Sequence, residues 1–292
     1  MRLSALKFYV QELLKIKKIA NKYNLPNLTE LEIGRYKTSD TIFILGSGDS
    51  INNYSAAQWK EISDQDSIGF NYWPIHNHVP TFYSVECASN LNIRKEQINL
   101  LNTNKKAYKK TPIILKDIFE GYWQETVPLI DPELKPNLYI AKEIQLTGRS
   151  CEDYLRSIKM YENLGMIKEG SFKYIPRKIG SLIFLLFFAF FSGYKKVVLC
   201  GIDLDGGSSF YLNERYSKQQ EHLQHTISAI KSKKHHTLDK SQNFVTMPEL
   251  LSFLNKKYFQ EKGLSIYLGN KQSSLYPEFS LFNYKCAITS KF

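Results

Sequence analysis

Thr41-Ile-Phe-Ile-Leu-Gly-Ser-Gly-Asp-Ser50 decides how the rest of this chain is read. The run from Thr41 to Leu45 is apolar and rich in β-branched residues, which suits a short buried strand. Two glycines then permit a tight turn, and Asp49 and Ser50 open helix-compatible sequence. Glycines in such a turn let the backbone approach a ligand, and the first amides of the following helix can hold a phosphate. A lone Gly-x-Gly turn also serves packing, so the segment must be weighed with its neighbours.

The same rhythm recurs downstream. Asp66-Ser-Ile-Gly-Phe-Asn-Tyr-Trp predicts a second strand finishing at Asn71, and Pro80-Thr-Phe-Tyr-Ser-Val-Glu a third finishing near Ser84 and Glu86. Lys110-Thr-Pro-Ile-Ile-Leu-Lys predicts a fourth. Gly180–Phe191 reads as a buried helix, Val197–Cys200 as a strand, Met247–Lys262 as a helix and Leu264–Leu268 as a last strand. Alternating strands and helices predict an α/β fold: a Rossmann-like, mostly parallel sheet with ligands at the carboxyl ends of its strands.

Around this core the sequence divides coarsely. Residues 2–23 form a basic amphipathic helix, with Leu3, Leu6, Val10, Leu13 and Leu14 on one side and Arg2, Lys7, Lys15, Lys17, Lys18 and Lys22 on the other. That helix packs on the domain or on a second subunit, or lies on an anionic membrane. Residues 1–38 are read as helix and linker, and 39–292 as the α/β domain. Within it, 117–175 is aromatic, Pro-interrupted and without clear periodicity, which predicts an insertion or an irregular wall. Residues 206–245, polar and rich in Lys and His, predict a lid.

Composition narrows the partners. A formal net charge of +11 favours an anionic partner. The basic residues are dispersed and no nucleic-acid-binding signature is present, so nucleic acid is not expected. Cys87, Cys151, Cys200 and Cys286 show no metal or disulfide spacing, which suits a reduced protein. The first twenty residues lack the apolar core of a signal peptide, and Leu182–Phe191 is about half the length of a membrane span. The expected location is cytoplasmic, with peripheral contact at the inner face of the membrane.

A second informative stretch runs from Gly180 to Tyr211. Asp203 falls at the end of a strand, where it either meets a ligand or caps its own turn. Ser208, Ser209 and Tyr211 are hydroxyl donors beside it, suited to stabilising an oxyanion.

The order of these segments resembles the bacterial sialyltransferases of glycosyltransferase family 42 and the related motility accessory factor glycosyltransferases. The matching residues are Gly46-Ser-Gly-Asp-Ser50, Asn71-Tyr-Trp, Gly193-Tyr-Lys, Gly201-Ile-Asp with Gly207-Ser-Ser, Glu249-Leu-Leu-Ser-Phe-Leu and Leu264-Ser-Ile-Tyr-Leu. The resemblance covers residues 40–90 and 175–280. It implies a GT-A-like variant fold and an inverting transferase whose donor is a CMP-activated nonulosonic or related ulosonic sugar. The acceptor would be a hydroxyl of a cell-surface glycan or of its lipid-linked precursor. The leaving group carries one phosphate, so hydroxyls and helix amides suffice and no metal is expected.

The resemblance further implies residue roles. Gly46, Ser47, Gly48 and Ser50 would line phosphate and ribose, with Asn71 and Ser84 on the donor. Arg177 would lie near donor and acceptor, Gly180 and Ser181 against the donor carboxylate, and Asn270 and Ser274 around the cytidine. Arg177 can also be a plain surface charge, and Ser181 a helix cap. A histidine before the late helix would take the acceptor's proton. His236 is the choice, with His222, His225 and His235 as alternatives.

Two departures stand out: the tyrosines of the leaving phosphate, and the N-terminal helix with the 117–175 stretch, which have no counterpart in the family. Where the family places tyrosines on the leaving phosphate, this chain has Asp205 and Phe210, with Tyr211 adjacent. Asp203-Leu-Asp205 also reads as a metal motif, which keeps a Mg²⁺-dependent pyrophosphokinase-like enzyme as an alternative. A non-catalytic scaffold in glycan assembly is another. Either form could be a homo-oligomer.

Overall fold

All five residues of the strand Thr41–Leu45 are buried, and alternate side chains enter two separate cores: Ile42 and Ile44 one, Phe43 and Leu45 the other. The computed structural model describes residues 14–116, 122–178, 180–205, 207–231 and 244–285.

The chain begins with helix α1 (14–23), then strand β1 (Thr41–Leu45), a 3-10 turn (Asp49–Asn53), α2 (Ala56–Ser63), β2 (Asp66–Phe70) and β3 (Phe82–Glu86). Helix α3 (Leu91–Thr103), the single turn α4 (Lys105–Tyr108), β4 (Ile113–Lys116), the single turn α5 (Trp123–Thr126) and β5 (Leu138–Ile140) follow. Next come β6 (Glu143–Gln145), α6 (Cys151–Asn163), β7 (Ile175–Arg177), α7 (Leu182–Phe191) and β8 (Lys196–Cys200). The last elements are α8 (Ser217–Gln220), α9 (Gln224–Lys231), α10 (Met247–Leu254) and β9 (Ser265–Leu268).

Seven strands form one sheet in the order β5-β4-β3-β2-β1-β8-β9, and every neighbouring pair is parallel. The chain builds outward from β1 to β5, then returns to lay β8 and β9 on the other flank of β1. The order therefore reverses between β1 and β8, and crevices for ligands open at the carboxyl ends beside such a reversal. The two loops that start there are Gly46–Ser50 and Gly201–Ser209, the segments the sequence singled out.

One face of the sheet is covered by α7, α6 and α10, the other by α1, α2 and α3. All ten residues of α7 are buried, which explains its uniformly apolar sequence. Among the described residues no helix is long and apolar enough to cross a membrane. At the opposite end of the sheet from the glycine loops, the buried carboxylate of Asp66 accepts the amides of Thr38 and Ser39, the hydroxyl of Thr38 and the phenol of Tyr194. This ties residues 24–40 to the sheet.

Several expectations need correction. Over its described residues, 117–175 is no insertion: β5 is the edge strand of the main sheet, and β6 pairs with β7. Helix α6 starts at a capping box made by Ser150 and Asp153 and buries Tyr154, Ser157, Ile158 and Tyr161 at helical spacing. In α1, Leu14 points to solvent while Ile16 and Ile19 enter the core, so the buried stripe is rotated from the expected one. The first part of the expected lid is packed, with Phe210, Tyr211, Tyr216 and Leu223 buried. Residues 232–243 lie outside the described residues. The late helix is broken by a π-helical turn, Asn255–Phe259, which lets Asn255, Tyr258 and Phe259 all face inward.

Candidate active site

The two loops at the sheet reversal are bonded directly to one another. The amide of Gly46 donates to the Cys200 carbonyl at 2.7 Å, that of Gly48 to Gly201 at 2.8 Å and that of Asp49 to Ser208 at 3.0 Å. Phe210 returns a bond to the Ser47 carbonyl at 2.9 Å. Ser50 donates both its amide and its hydroxyl to the Asp203 carboxylate. The glycines are required by this approach. A Cβ at Gly46 would lie 2.5 Å from the Gly201 oxygen, and one at Gly48 2.3 Å from an Asp203 oxygen.

The turn therefore differs from the open phosphate cradle expected of it. Four of its amides already have protein acceptors, and it leads into a 3-10 turn instead of an α-helix. Ser47 is the exception: among the described residues neither its amide nor its hydroxyl has a protein partner. It is half-buried at the junction.

Asp203 does not cap its own turn; half-buried, it holds Ser50 of the opposite loop. Burial raises its pKa, the two Ser50 bonds pull it back in part, and the nearby Asp205 and Asp49 push it up further. Asp205 is exposed and accepts the Gly207 amide at 2.7 Å. Between them Leu204 has a φ of 52°. Among the described residues no three His, Cys, Asp or Glu side chains gather in a metal-binding group.

Of the hydroxyl donors next to Asp203, Ser208 is exposed and Ser209 bridges to Gly48. Tyr211 is only 2% exposed. Burial pushes its phenol up to about 12, and a bond to Ser209 offsets this only in part. Phe210 packs among Trp73, His76 and Tyr216, and Tyr211 against Tyr72. The shift that would bring Tyr211 to a leaving phosphate is thus absent: its ring belongs to the core. Asn270 caps its own turn by accepting the Gln272 amide at 2.9 Å. Ser274 donates its amide to the Asp203 carbonyl at 2.7 Å and its hydroxyl to Leu204 at 3.0 Å, so this loop braces the back of the junction.

A second corner forms at the heads of β2 and β3. Asn71, with a φ of 51°, donates its amide to the Ser84 carbonyl at 3.0 Å, and its side-chain oxygen accepts the Glu86 amide at 3.3 Å. The Ser84 hydroxyl is fully buried with no protein partner among the described residues. Gly180, with a φ of 74°, turns the chain into α7. Ser181 makes no side-chain cap there; its hydroxyl crosses to Glu86 at 2.7 Å. Glu86 also pairs with Lys116 at 3.1 Å, and Lys116 reaches Glu143 at 3.8 Å. Lys116 and Glu143 are each 3% exposed at the side chain. Arg177 ends β7 in register with Gln145 and is half-buried.

Of the candidate bases, His235 and His236 lie outside the described residues. His222 is exposed just after α8. His225 places Nδ1 2.8 Å from Glu96 Oε1. The same carboxylate accepts the amides of His225 and Thr226 and the Thr226 hydroxyl at 2.8 to 2.9 Å, and so caps α9. Burial alone would raise Glu96, but these bonds hold it below the ordinary value. The Thr226 hydroxyl meets the phenol of Tyr72 at 3.1 Å, which seats α9 beside the Asn71 corner.

Glu86, Lys116, Glu143 and Glu96 escaped sequence reading. The only signal was a charged residue closing an apolar strand, at Glu86 and at Lys116.

The chain is similar to solved sialyltransferase structures. A monofunctional alpha-2,3-sialyltransferase, Cst-I, from Campylobacter jejuni has 17% identity over 88% of this chain and 85% of its own, with a TM-score of 0.49. A variant of the sialyltransferase CST-II in complex with CMP has 16% identity over 86% and 89%, with a TM-score of 0.48. A second CST-II variant with CMP has 16% identity over 86% and 88%, with a TM-score of 0.46. No protein-family profile matches the chain, and no curated protein sequence does.

Proposed function

We propose that the chain is an inverting glycosyltransferase that moves a sialic-acid-like sugar from a CMP donor to a hydroxyl of a glycan or its lipid-linked precursor. One observation carries this reading. The residues that resemble the family motifs, from Gly46 to Ser50, Asn71, Ser84 and Gly201 to Ser209, are far apart in sequence. They assemble at the carboxyl ends of four consecutive strands, β3-β2-β1-β8, where the strand order reverses. In this reading Ser47 supplies an amide and a hydroxyl to the single phosphate, with the Asn71 corner next to the sugar. His236 is assigned as the base by the sequence resemblance.

The experiment is a melting series with CMP, CTP, NAD and ATP, followed by assay of CMP release from CMP-N-acetylneuraminic acid. CMP and CTP should raise Tm while NAD and ATP do not. An unchanged Tm in millimolar CMP ends the proposal. His236→Ala should abolish transfer and leave CMP affinity intact.

One observation favours a second reading, a binding protein without transfer activity. Phe210 has no hydroxyl and that of Tyr211 is buried, so neither residue offers a phenol to a leaving phosphate. CMP binding without CMP release from any CMP-sugar would select that reading. The metal-dependent alternative is disfavoured, because Ser50 holds Asp203; insensitivity to EDTA would close it. Peripheral membrane contact would use the exposed Lys15, Lys17, Lys18 and Lys22 of α1, whose Ile16 and Ile19 are buried. Co-sedimentation with anionic vesicles tests it.

A further inference from the structure

We infer that Glu86 is a specificity-determining residue that reads a hydroxyl or amine of the transferred sugar. The inference rests on the proposed CMP-sugar site. Among the described residues, Asn71, Ser181 and Lys116 converge on this one residue. The Asn71 side chain holds its backbone amide, the Ser181 hydroxyl donates to its Oε2, and the Lys116 ammonium lies 3.1 Å from the same oxygen. Asn71 and Ser181 are both residues for which the family resemblance implies donor contact, and Glu86 stands between them.

The Ser181 contact decides what the corner can accept. A serine hydroxyl has one proton, and here it points at Glu86. Towards a ligand Ser181 therefore presents lone pairs, and a carboxylate stands behind it. An anionic sugar group placed there would meet acceptor oxygens on both side chains. An ionised carboxylate only accepts, so the complementary sugar group must donate a hydrogen bond.

Glu86 is also placed to act. Its side chain is 38% exposed, while its ion-pair partner Lys116 is 3% exposed and anchored from behind by Glu143. The buried ammonium fixes the carboxylate's orientation, which limits the rotamer freedom lost when a ligand binds.

The test compares Glu86→Gln with the unaltered chain. The readouts are the Kd of CMP, the Kd of CMP-N-acetylneuraminic acid, and KM and kcat for CMP release. Glu86→Gln should bind CMP as the parent does and lose about tenfold or more in affinity for the CMP-sugar, seen in KM more than in kcat. Should Glu86→Gln fail to fold, Glu86→Asp retains the charge and withdraws it by one methylene, and the same loss is expected. Unchanged CMP-sugar affinity in a folded Glu86 variant that binds CMP normally overturns the inference. Failure of the unaltered chain to bind CMP overturns the proposed function instead.

Discussion

Asp203 accepts the Ser50 amide at 3.0 Å and the Ser50 hydroxyl as well, so one carboxylate clamps the loop after β1 to the loop after β8. Ser50 is 2% exposed and Asp203 half-buried. An amide in place of the carboxylate would turn a donor toward one of two donors. Asp203→Asn should destabilise the fold by about 1–3 kcal/mol in urea denaturation. Because burial raises the folded-state pKa above 3.8, protonation of Asp203 favours the folded chain. Its contribution is full at acid pH and declines as pH rises through the folded-state value. The unaltered chain should therefore gain on Asp203→Asn as pH falls, and a pH-independent difference would contradict this.

Gly48→Ala should break the same junction from the other side. The new methyl would sit 2.3 Å from an Asp203 oxygen and 2.8 Å from the Gly201 carbonyl, and backbone must move. Overpacking of this kind costs about 1–3 kcal/mol. The loss should appear in Tm and be accompanied by weaker CMP affinity. A variant with parental Tm and CMP binding would show that the two loops have room to part.

Lys116→Met should remove a buried cation and leave Glu143, itself 3% exposed at the side chain, without its ammonium. Breaking a buried ion pair from one side destabilises by about 3–5 kcal/mol. Chemical denaturation should show that loss, and the additional replacement of Glu143 by Gln should recover part of it. A mild effect would mean that water compensates the carboxylates.

His76 and His78 predict an acid weakness. Burial lowers both to about 4, and for His76 the neighbouring His78 and Arg215 contribute in the same direction. His76 is clasped by the rings of Trp59 and Trp73, and its Nδ1 accepts the His78 amide at 3.0 Å. In the unfolded chain each takes a proton near 6.5, so between 6.5 and 4 the unfolded state binds more protons. Stability is full above 6.5 and falls toward 4, by at most about 1.4 kcal/mol per pH unit for each ring. His76→Phe should flatten that slope, and equal urea midpoints at pH 7 and pH 5 in the unaltered chain would refute the assignment.

The central strands were legible because each carries its burial in a continuous apolar run, as Thr41–Leu45 and Lys196–Cys200 do. The parallel arrangement followed from their alternation with helices. β5, β6 and β7 were not legible: three residues are too few to show a period, and pairings such as Glu143 with Ile175 are nonlocal. Helix α6 was missed because its inner face is mostly tyrosine and serine, with Ile158 the one aliphatic residue among its four buried side chains. In the candidate site the glycine loops announced themselves, but the purpose of their glycines did not, since loop-to-loop contact and ligand contact demand the same absence of a side chain. The corner of Glu86, Lys116, Glu143 and Ser181 is assembled from single residues of four separate segments, and no spacing within one segment reveals it.

The mutual bonding of the two loops also sets an order of events during synthesis. By the time β5 has emerged from the ribosome, β1 can already pair with β2, and β2 through β5 with each other. The amides of Gly46, Gly48, Asp49 and Ser50 meanwhile wait for acceptors that lie between Cys200 and Ser208. A nascent chain halted before that point would hold most of a sheet whose central strand is bare along one edge, a surface that chaperones recognise and other chains can join.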